Sequence, residues 1–115
     1  MDHTVSLKLN HEFRRLYAKG KSAVNPCMAV YCRKNRLGYN RLGFTTGTKL
    51  GKAVVRNRVR RRLREIYRTN EDKIRPGYDI VVVARVRACH SRYAELQRQF
   101  LRTADKLGLL NGSGT

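Results

Sequence analysis

Apolar positions along the chain change period several times, and each change marks an element. Over residues 8–19, Leu9, Phe13, Leu16 and Tyr17 recur at spacings of three and four. This predicts a short amphipathic helix with Asn10 as N-cap, Gly20 as its stop, and Leu9 and Leu16 in the core. Beyond Gly20 the period falls to two. Residues 27–32, after Pro26, predict a strand with Met28, Val30 and Cys32 on one face and Ala29, Tyr31 and Arg33 on the other. Residues 41–46 predict the next, with Leu42, Phe44 and Thr46 in line, and residues 22–24 a short edge strand. Residues 35–40, with Gly38, and 47–51, between two glycines, are turns.

A long helix is predicted over residues 52–69. Its stripe of Val55, Val59, Leu63 and Ile66, bordered by Tyr67, has a 3.6-residue period. At about 100° per residue, Asn57, Arg60, Arg61, Arg64 and Arg68 fall on the arc facing away from Val59, and Arg58 and Arg62 on a flank. Residues 70–77, ending in Pro76-Gly77, read as a linker. In residues 78–84 the apolar run Ile80-Val81-Val82-Val83 predicts a central strand covered on both faces. Strand, helix, strand implies a parallel crossover, right-handed by the general steric rule. Ser91 is a candidate cap for a last helix reaching residue 107, with Tyr93, Leu96, Phe100 or its neighbour Leu101, Ala104 and Leu107 apolar and Leu109 and Leu110 extending the packing. Residues 111–115 read as a flexible polar tail on one domain, 1–115, without internal repeats.

Charge changes the picture. The 115 residues carry 26 Lys and Arg against eight Asp and Glu, a net charge of +18. Such an excess repels itself in a compact state, and a polyanion relieves it with release of counterions. Nucleic acid is the expected partner. Arginine predominates, and guanidinium groups grip phosphate through two parallel donors and stack on bases. Residues 49–68 concentrate nine basic residues and one acid, Glu65, on a helix that keeps its apolar stripe. A rigid basic helix of this kind suits the phosphates of structured RNA, whose narrow A-form major groove favours shape recognition over base reading. Phe13, Tyr17 and Tyr31 admit two readings: rings that pack the first helix on the sheet, or a stacking platform for single-stranded nucleotides.

Other chemistries lack their signatures. Glu71 and Asp72, the only adjacent acids, sit in the linker, and His3 (in a loose N-terminus), His11 and His90 have no evident carboxylate partner. Cys27, Cys32 and Cys89 form no CxxC and no zinc pattern, so reduced, buried thiols are expected. No stretch approaches the roughly 20 apolar residues that cross a bilayer, and Lys8, Glu12, Arg14 and Arg15 interrupt any apolar leader. The expectation is a cytoplasmic protein, no membrane partner and, for the protein alone, a monomer.

The string Leu50-Gly51-Lys52-Ala53-Val54-Val55-Arg56-Asn57-Arg58-Val59-Arg60-Arg61-Arg62-Leu63-Arg64 resembles the signature of the bacterial ribonuclease P protein subunit, whose hallmark is the Arg-Asn-Arg triplet in a basic helix. Gly43-Phe44-Thr45-Thr46, Gly77-Tyr78-Asp79-Ile80-Val81-Val82-Val83-Ala84-Arg85 and Glu12-Phe13-Arg14-Arg15-Leu16-Tyr17-Ala18-Lys19-Gly20 extend the resemblance, in order, over nearly the whole chain. It implies an α+β, two-layer α-β sandwich of order α-β-β-β-α-β-α. The mixed four-stranded sheet would have an unusual left-handed βαβ crossover, ribosomal protein S5 domain 2-like, against the general rule.

The resemblance also implies a function. A catalytic RNA would remove the 5′ leader of precursor tRNA while this subunit binds the leader and promotes metal-dependent cleavage. The chain itself would hold no catalytic residue and no cofactor, magnesium would serve the holoenzyme, and no obligate protein partner is expected. Phe13, Tyr17 and Tyr31 would line the leader cleft, bordered by Thr45, Arg56, Arg60 and Arg64. Lys49, Lys52, Arg56, Asn57, Arg58, Arg60, Arg61, Arg64 and Arg68 would form the basic RNA-binding motif. Two departures stand out: residues 5–9 are less basic than the family's usual start, and its Ser-Lys-Lys turn is here Gly47-Thr48-Lys49. The alternative is a ribosome-associated or general structured-RNA-binding protein, and a third reading is an autonomous nuclease.

Overall fold

The computed structural model describes residues 4–111. In chain order they form β1 (Thr4–Ser6), α1 (Asn10–Lys19), β2 (Lys21–Val24), β3 (Met28–Lys34), β4 (Asn40–Thr45), α2 (Ala53–Asn70), β5 (Tyr78–Ala84) and α3 (Tyr93–Lys106). Short 3-10 turns occupy Thr48–Leu50, Glu71–Lys73 and Val86–Cys89. One sheet runs β1-β4-β5-β3-β2, with β5 parallel to β4 and antiparallel to β3.

The apolar run of β5 explains its central place. Ile80 and Val82 face Val59, Leu63 and Ile66 of α2 and Leu96 and Phe100 of α3 in the main core. Val81 points the other way, to Leu7 and Leu16, with Phe13, Tyr31 and Val83 packed around them. Each large apolar side chain so covered contributes about 1.5–3 kcal/mol. The helices therefore lie on both faces of the sheet, α1 alone on one and α2 with α3 on the other. This replaces the two layers expected from the sequence. The four-stranded expectation also changes, because β1 adds a fifth strand, parallel to β4 through Thr4↔Asn40, Val5↔Arg41 and Ser6↔Leu42. Three residues are too short to show a two-residue period, so β1 left no pattern to read.

Two helix starts differ from expectation. The N-cap of α1 is Leu9, not Asn10; its N–H donates to Glu12 Oε1 at 3.3 Å. At that position Leu9 is 54% exposed and Leu7, the preceding apolar residue, takes the core place. Arg92 rather than Ser91 caps α3, because the Ser91 hydroxyl donates back to the Arg87 carbonyl at 2.8 Å. The start of α2 is set by Gly51, whose φ of 129° only glycine adopts without strain. Leu109 is fully buried and Leu110 bridges to Ile74, as the apolar pattern implied. Asn111, the first residue of the expected tail, donates its N–H to the Lys73 carbonyl at 2.6 Å. Residues 112–115 and His3 lie outside the described residues.

Candidate nucleic-acid interface

The site is a trough between α1 and α2, floored by the outer end of β4. Its geometry begins with what holds α1 on the sheet. Leu16 is its one fully buried side chain. The rest of the anchorage is polar: Arg41 on β4 bonds Asp79 on β5 through Nε at 2.8 Å and Nη2 at 2.7 Å, and pairs with Glu12 on α1. Asp79 first, then Glu12, raises the Arg41 pKa further, so the guanidinium stays charged throughout. Gly43 lets the helix approach. A Cβ there would lie 2.6 Å from Phe13 Cζ, so only a bare backbone leaves room for that ring over the sheet.

With α1 seated, its aromatic residues take different roles. Phe13 and Tyr31 are partly buried against Leu16 and Val81. Tyr17 is 42% exposed, its ring edge against Tyr31 at a centroid distance of 4.9 Å and its hydroxyl 3.2 Å from Thr45 Oγ1. Packing and display thus coexist: Phe13 and Tyr31 brace, and Tyr17 presents a ring. Two open hollows meet along Phe13 and Phe44. One, of about 560 Å³, is lined by Asn10, Phe13, Arg14, Tyr17, Thr45 and Thr46 among others. The second, of about 380 Å³, adds β1 and the side chains of Arg60 and Arg64. Arg60 is steadied by Nη2 donating to Thr46 Oγ1 at 2.7 Å.

The remaining residues of the basic motif spread around α2. Asn57, Arg58, Arg60 and Arg61 line a further hollow with Val54, which is 78% exposed. Arg60 Nη1 donates to Asn57 Oδ1 at 3.3 Å. Arg56 is half-buried, and its Nε has no hydrogen-bond partner. Lys49 and Lys52 are exposed just before the helix, Lys52 as its N-cap. Arg68 is paired with Glu65, so its charge is locally compensated. Arg64 and Arg61 have no carboxylate within salt-bridge distance among the described residues.

Sequence reasoning passed over Arg41, although Asp79 signalled it: a carboxylate in the most apolar strand, here 8% exposed, requires a cation. It also passed over the network that ties β1 down. Thr4 Oγ1 lies 2.8 Å from Tyr67 Oη, which accepts from Asn40 Nδ2 at 3.0 Å. Among the described residues no three His, Cys, Asp or Glu side chains are grouped to hold a metal. No helix is long and apolar enough to cross a membrane, the described residues being considered.

A mixed sheet carrying a rigid, largely unpaired arginine helix beside a trough with an exposed tyrosine defines a structured-RNA-binding protein. Comparison with known proteins narrows the class. The Ribonuclease P family model matches residues 1–108, and the chain belongs to that family. The ribonuclease P protein component of Natranaerobius thermophilus is 42% identical over 110 residues, 96% of each chain. That of Alkaliphilus metalliredigens is 41% identical and is covered completely, by 96% of this chain. The Staphylococcus aureus ribonuclease P protein superposes with a TM-score of 0.85 at 32% identity, over 92% of this chain and 97% of that one. The Thermotoga maritima protein gives 0.78 at 35% identity, over 84% and 92%.

Proposed function

We propose that the trough between α1 and α2 receives the 5′ leader of precursor tRNA while the outward face of α2 meets the catalytic RNA. The chain is the RNA-binding protein subunit of ribonuclease P and assists leader cleavage by the RNA subunit. The observation carrying the trough assignment is the convergence of a displayed ring with two unpaired guanidinium groups. Tyr17 and Thr45 stand at one end, Arg60 and Arg64 on the opposite wall, and Phe13 and Phe44 between them. An extended strand needs this pairing, with a flat apolar surface for a base and cations at phosphate spacing.

Mechanistically the protein binds and positions. Its guanidinium groups lower the repulsion between two RNAs that must approach closely, and the braced Tyr17 ring holds a leader nucleotide in register. The magnesium requirement is assigned to the RNA side. The similarity to the solved structures supports a left-handed β4–α2–β5 crossover of the ribosomal protein S5 domain 2-like kind, and a partnership with precursor tRNA supports a cytoplasmic location. Reconstitution tests the reading. The protein with its cognate RNA should cleave precursor tRNA at low magnesium, neither component alone should, and the holoenzyme should bind leader-bearing tRNA more tightly than mature tRNA. Equal affinity for the two tRNAs would remove the leader from the trough. Tight RNA binding without stimulated cleavage would favour a general RNA-binding module, and cleavage by the protein alone an autonomous nuclease.

A further inference from the structure

The arginines of α2 occupy two flanks, and only one borders the trough. Arg60 and Arg64 face β4 and β1. On the other flank Arg62 reaches off the helix, its Nη1 donating to the Ser91 carbonyl at 3.1 Å in the turn before α3. Arg58 lies one helical turn earlier on the same flank. The turn is a fixed platform. Ser91 Oγ donates to the Arg87 carbonyl at 2.8 Å and meets Cys27 Sγ at 3.4 Å. The His90 N–H also donates to Arg87 O, at 3.1 Å, and Ala88 is fully buried beneath. Arg87, His90 and Arg92 project from this backbone and, with Ser91, Ala94 and Glu95, line an open hollow of about 730 Å³.

The electrostatics are one-sided. Among the described residues Arg58, Arg62, Arg87 and Arg92 have no carboxylate within salt-bridge distance. Glu95, the acid of the hollow, is engaged further along α3: Gln99 Nε2 donates to its Oε1 at 2.9 Å and Arg98 pairs with Oε2. The hydrogen bond from Gln99, then Arg98 and Arg87, hold its carboxyl below the usual range, so it stays ionised and occupied. No Phe or Tyr lines this hollow, in contrast to the trough. Guanidinium groups on rigid backbone without stacking rings suit the closely spaced phosphates of a folded RNA rather than a splayed single strand.

We propose that this α2–α3 corner, centred on Arg62, Arg87 and Arg92, is a second RNA-binding surface that takes backbone phosphates of the catalytic RNA. It rests on the reading of the chain as a ribonuclease P subunit, and it assigns the two flanks of one helix to two different RNAs. The leader lies along the Arg60 and Arg64 side. The catalytic RNA reaches around the outward face onto the corner.

The test measures binding of the protein to its cognate ribonuclease P RNA, without substrate, over a series of KCl concentrations. The Arg87→Gln/Arg92→Gln variant should bind about tenfold more weakly. Its plot of log affinity against log salt should flatten by about 1.5–2, two phosphate contacts' worth. The holoenzyme's preference for leader-bearing over mature tRNA should be unchanged. Both residues are exposed, and circular dichroism with a urea midpoint checks the fold. Arg102→Gln, an exposed α3 residue outside the corner, is the control and should match wild type. Wild-type affinity and slope in the double variant would overturn the proposal. So would lost leader preference with intact affinity for the catalytic RNA, which would give the corner to the substrate. Should wild-type protein fail to stimulate cleavage by the RNA, the underlying reading falls instead.

Discussion

Replacing Arg41 with methionine should loosen α1 and cost the protein about 2–3 kcal/mol. Among the described residues Arg41 is the one cation paired with Glu12 and Asp79, whose side chains are only 13% and 11% exposed. Methionine keeps most of the stem's packing but leaves two carboxylates close together with poor access to water. Among the described residues the Asp79 carboxylate then retains only the hydrogen bond that Asn35 Nδ2 donates to its Oδ1 at 3.0 Å. Breaking a fully buried pair costs about 3–5 kcal/mol. Arg41 itself is 26% exposed, so solvent screens part of the loss and the lower figure follows. That is comparable to burying Leu16, the other main anchor of α1, at about 1.5–3 kcal/mol. With a urea slope of about 1–3 kcal/mol per molar, the midpoint should fall by about 0.7–3 M. The cycle separates charge from shape: Glu12→Gln placed on Arg41→Met removes one of the two stranded charges and should recover part of the loss. The same helix carries Tyr17, so leader preference should drop under conditions where the variant remains folded. A midpoint shift within error, or a double variant no more stable than Arg41→Met, would refute the claim that this ion cluster seats the trough's wall.

Tyr17→Ala removes the exposed ring and should weaken holoenzyme binding to leader-bearing tRNA by about 1–3 kcal/mol, with binding to mature tRNA little changed and the circular dichroism spectrum retained; an unfolded variant would instead make Tyr17 a packing residue. Arg60→Ala should cost about 1–2 kcal/mol of affinity for the leader-bearing substrate, and equal losses for mature tRNA would remove Arg60 from the leader path. Alkaline pH should destabilise the fold. Burial raises the Cys32 thiol and the Tyr67 phenol above their usual values, so each favours the native state fully below its unfolded pKa, and that contribution is lost as pH rises through the folded one. Urea midpoints should therefore fall above about pH 9, and a midpoint that stays flat from neutral to strongly alkaline pH would contradict this.

Residues whose partners lie nearby in sequence, or whose pattern runs for several periods, were readable. The stripe of α2 repeats four times and placed Val59, Leu63 and Ile66 in the core, where they lie. The four consecutive apolar residues of β5 demanded two covered faces and found them. What the pattern could not carry was direction. Leu7 and Leu9 are equivalent in composition, and only the pairing of β1 with β4 decides that Leu7 is buried and Leu9 exposed. Of the expected cleft residues, Phe13, Tyr17, Thr45, Arg60 and Arg64 line the two hollows and Tyr31 and Arg56 line neither, and periodicity could not tell that Phe13 braces while Tyr17 presents. The place of Phe13 depends on Gly43, far along the chain, whose bare backbone leaves space for that ring. Arg62 was read as a flank residue without a role, because its partner, the Ser91 carbonyl, is a backbone group and backbone carries no sequence signal.

The arrangement of α2 also explains why so basic a helix can exist. Arg58 and Arg62, and Arg60, Arg64 and Arg68, repeat like charges at i,i+4, each pair opposing the helix by about 0.2–0.5 kcal/mol. A single pairing, Arg68 with Glu65, relieves this within the helix. The helix therefore persists through its buried stripe and its ends, not through its surface. Phosphates arriving on both flanks neutralise the groups that repel one another, so RNA binding and helix stability are linked: whatever binds the folded α2 also removes the strain of displaying it. A protein made this way gains from meeting two RNA segments rather than one, since each flank left uncovered keeps its own repulsion.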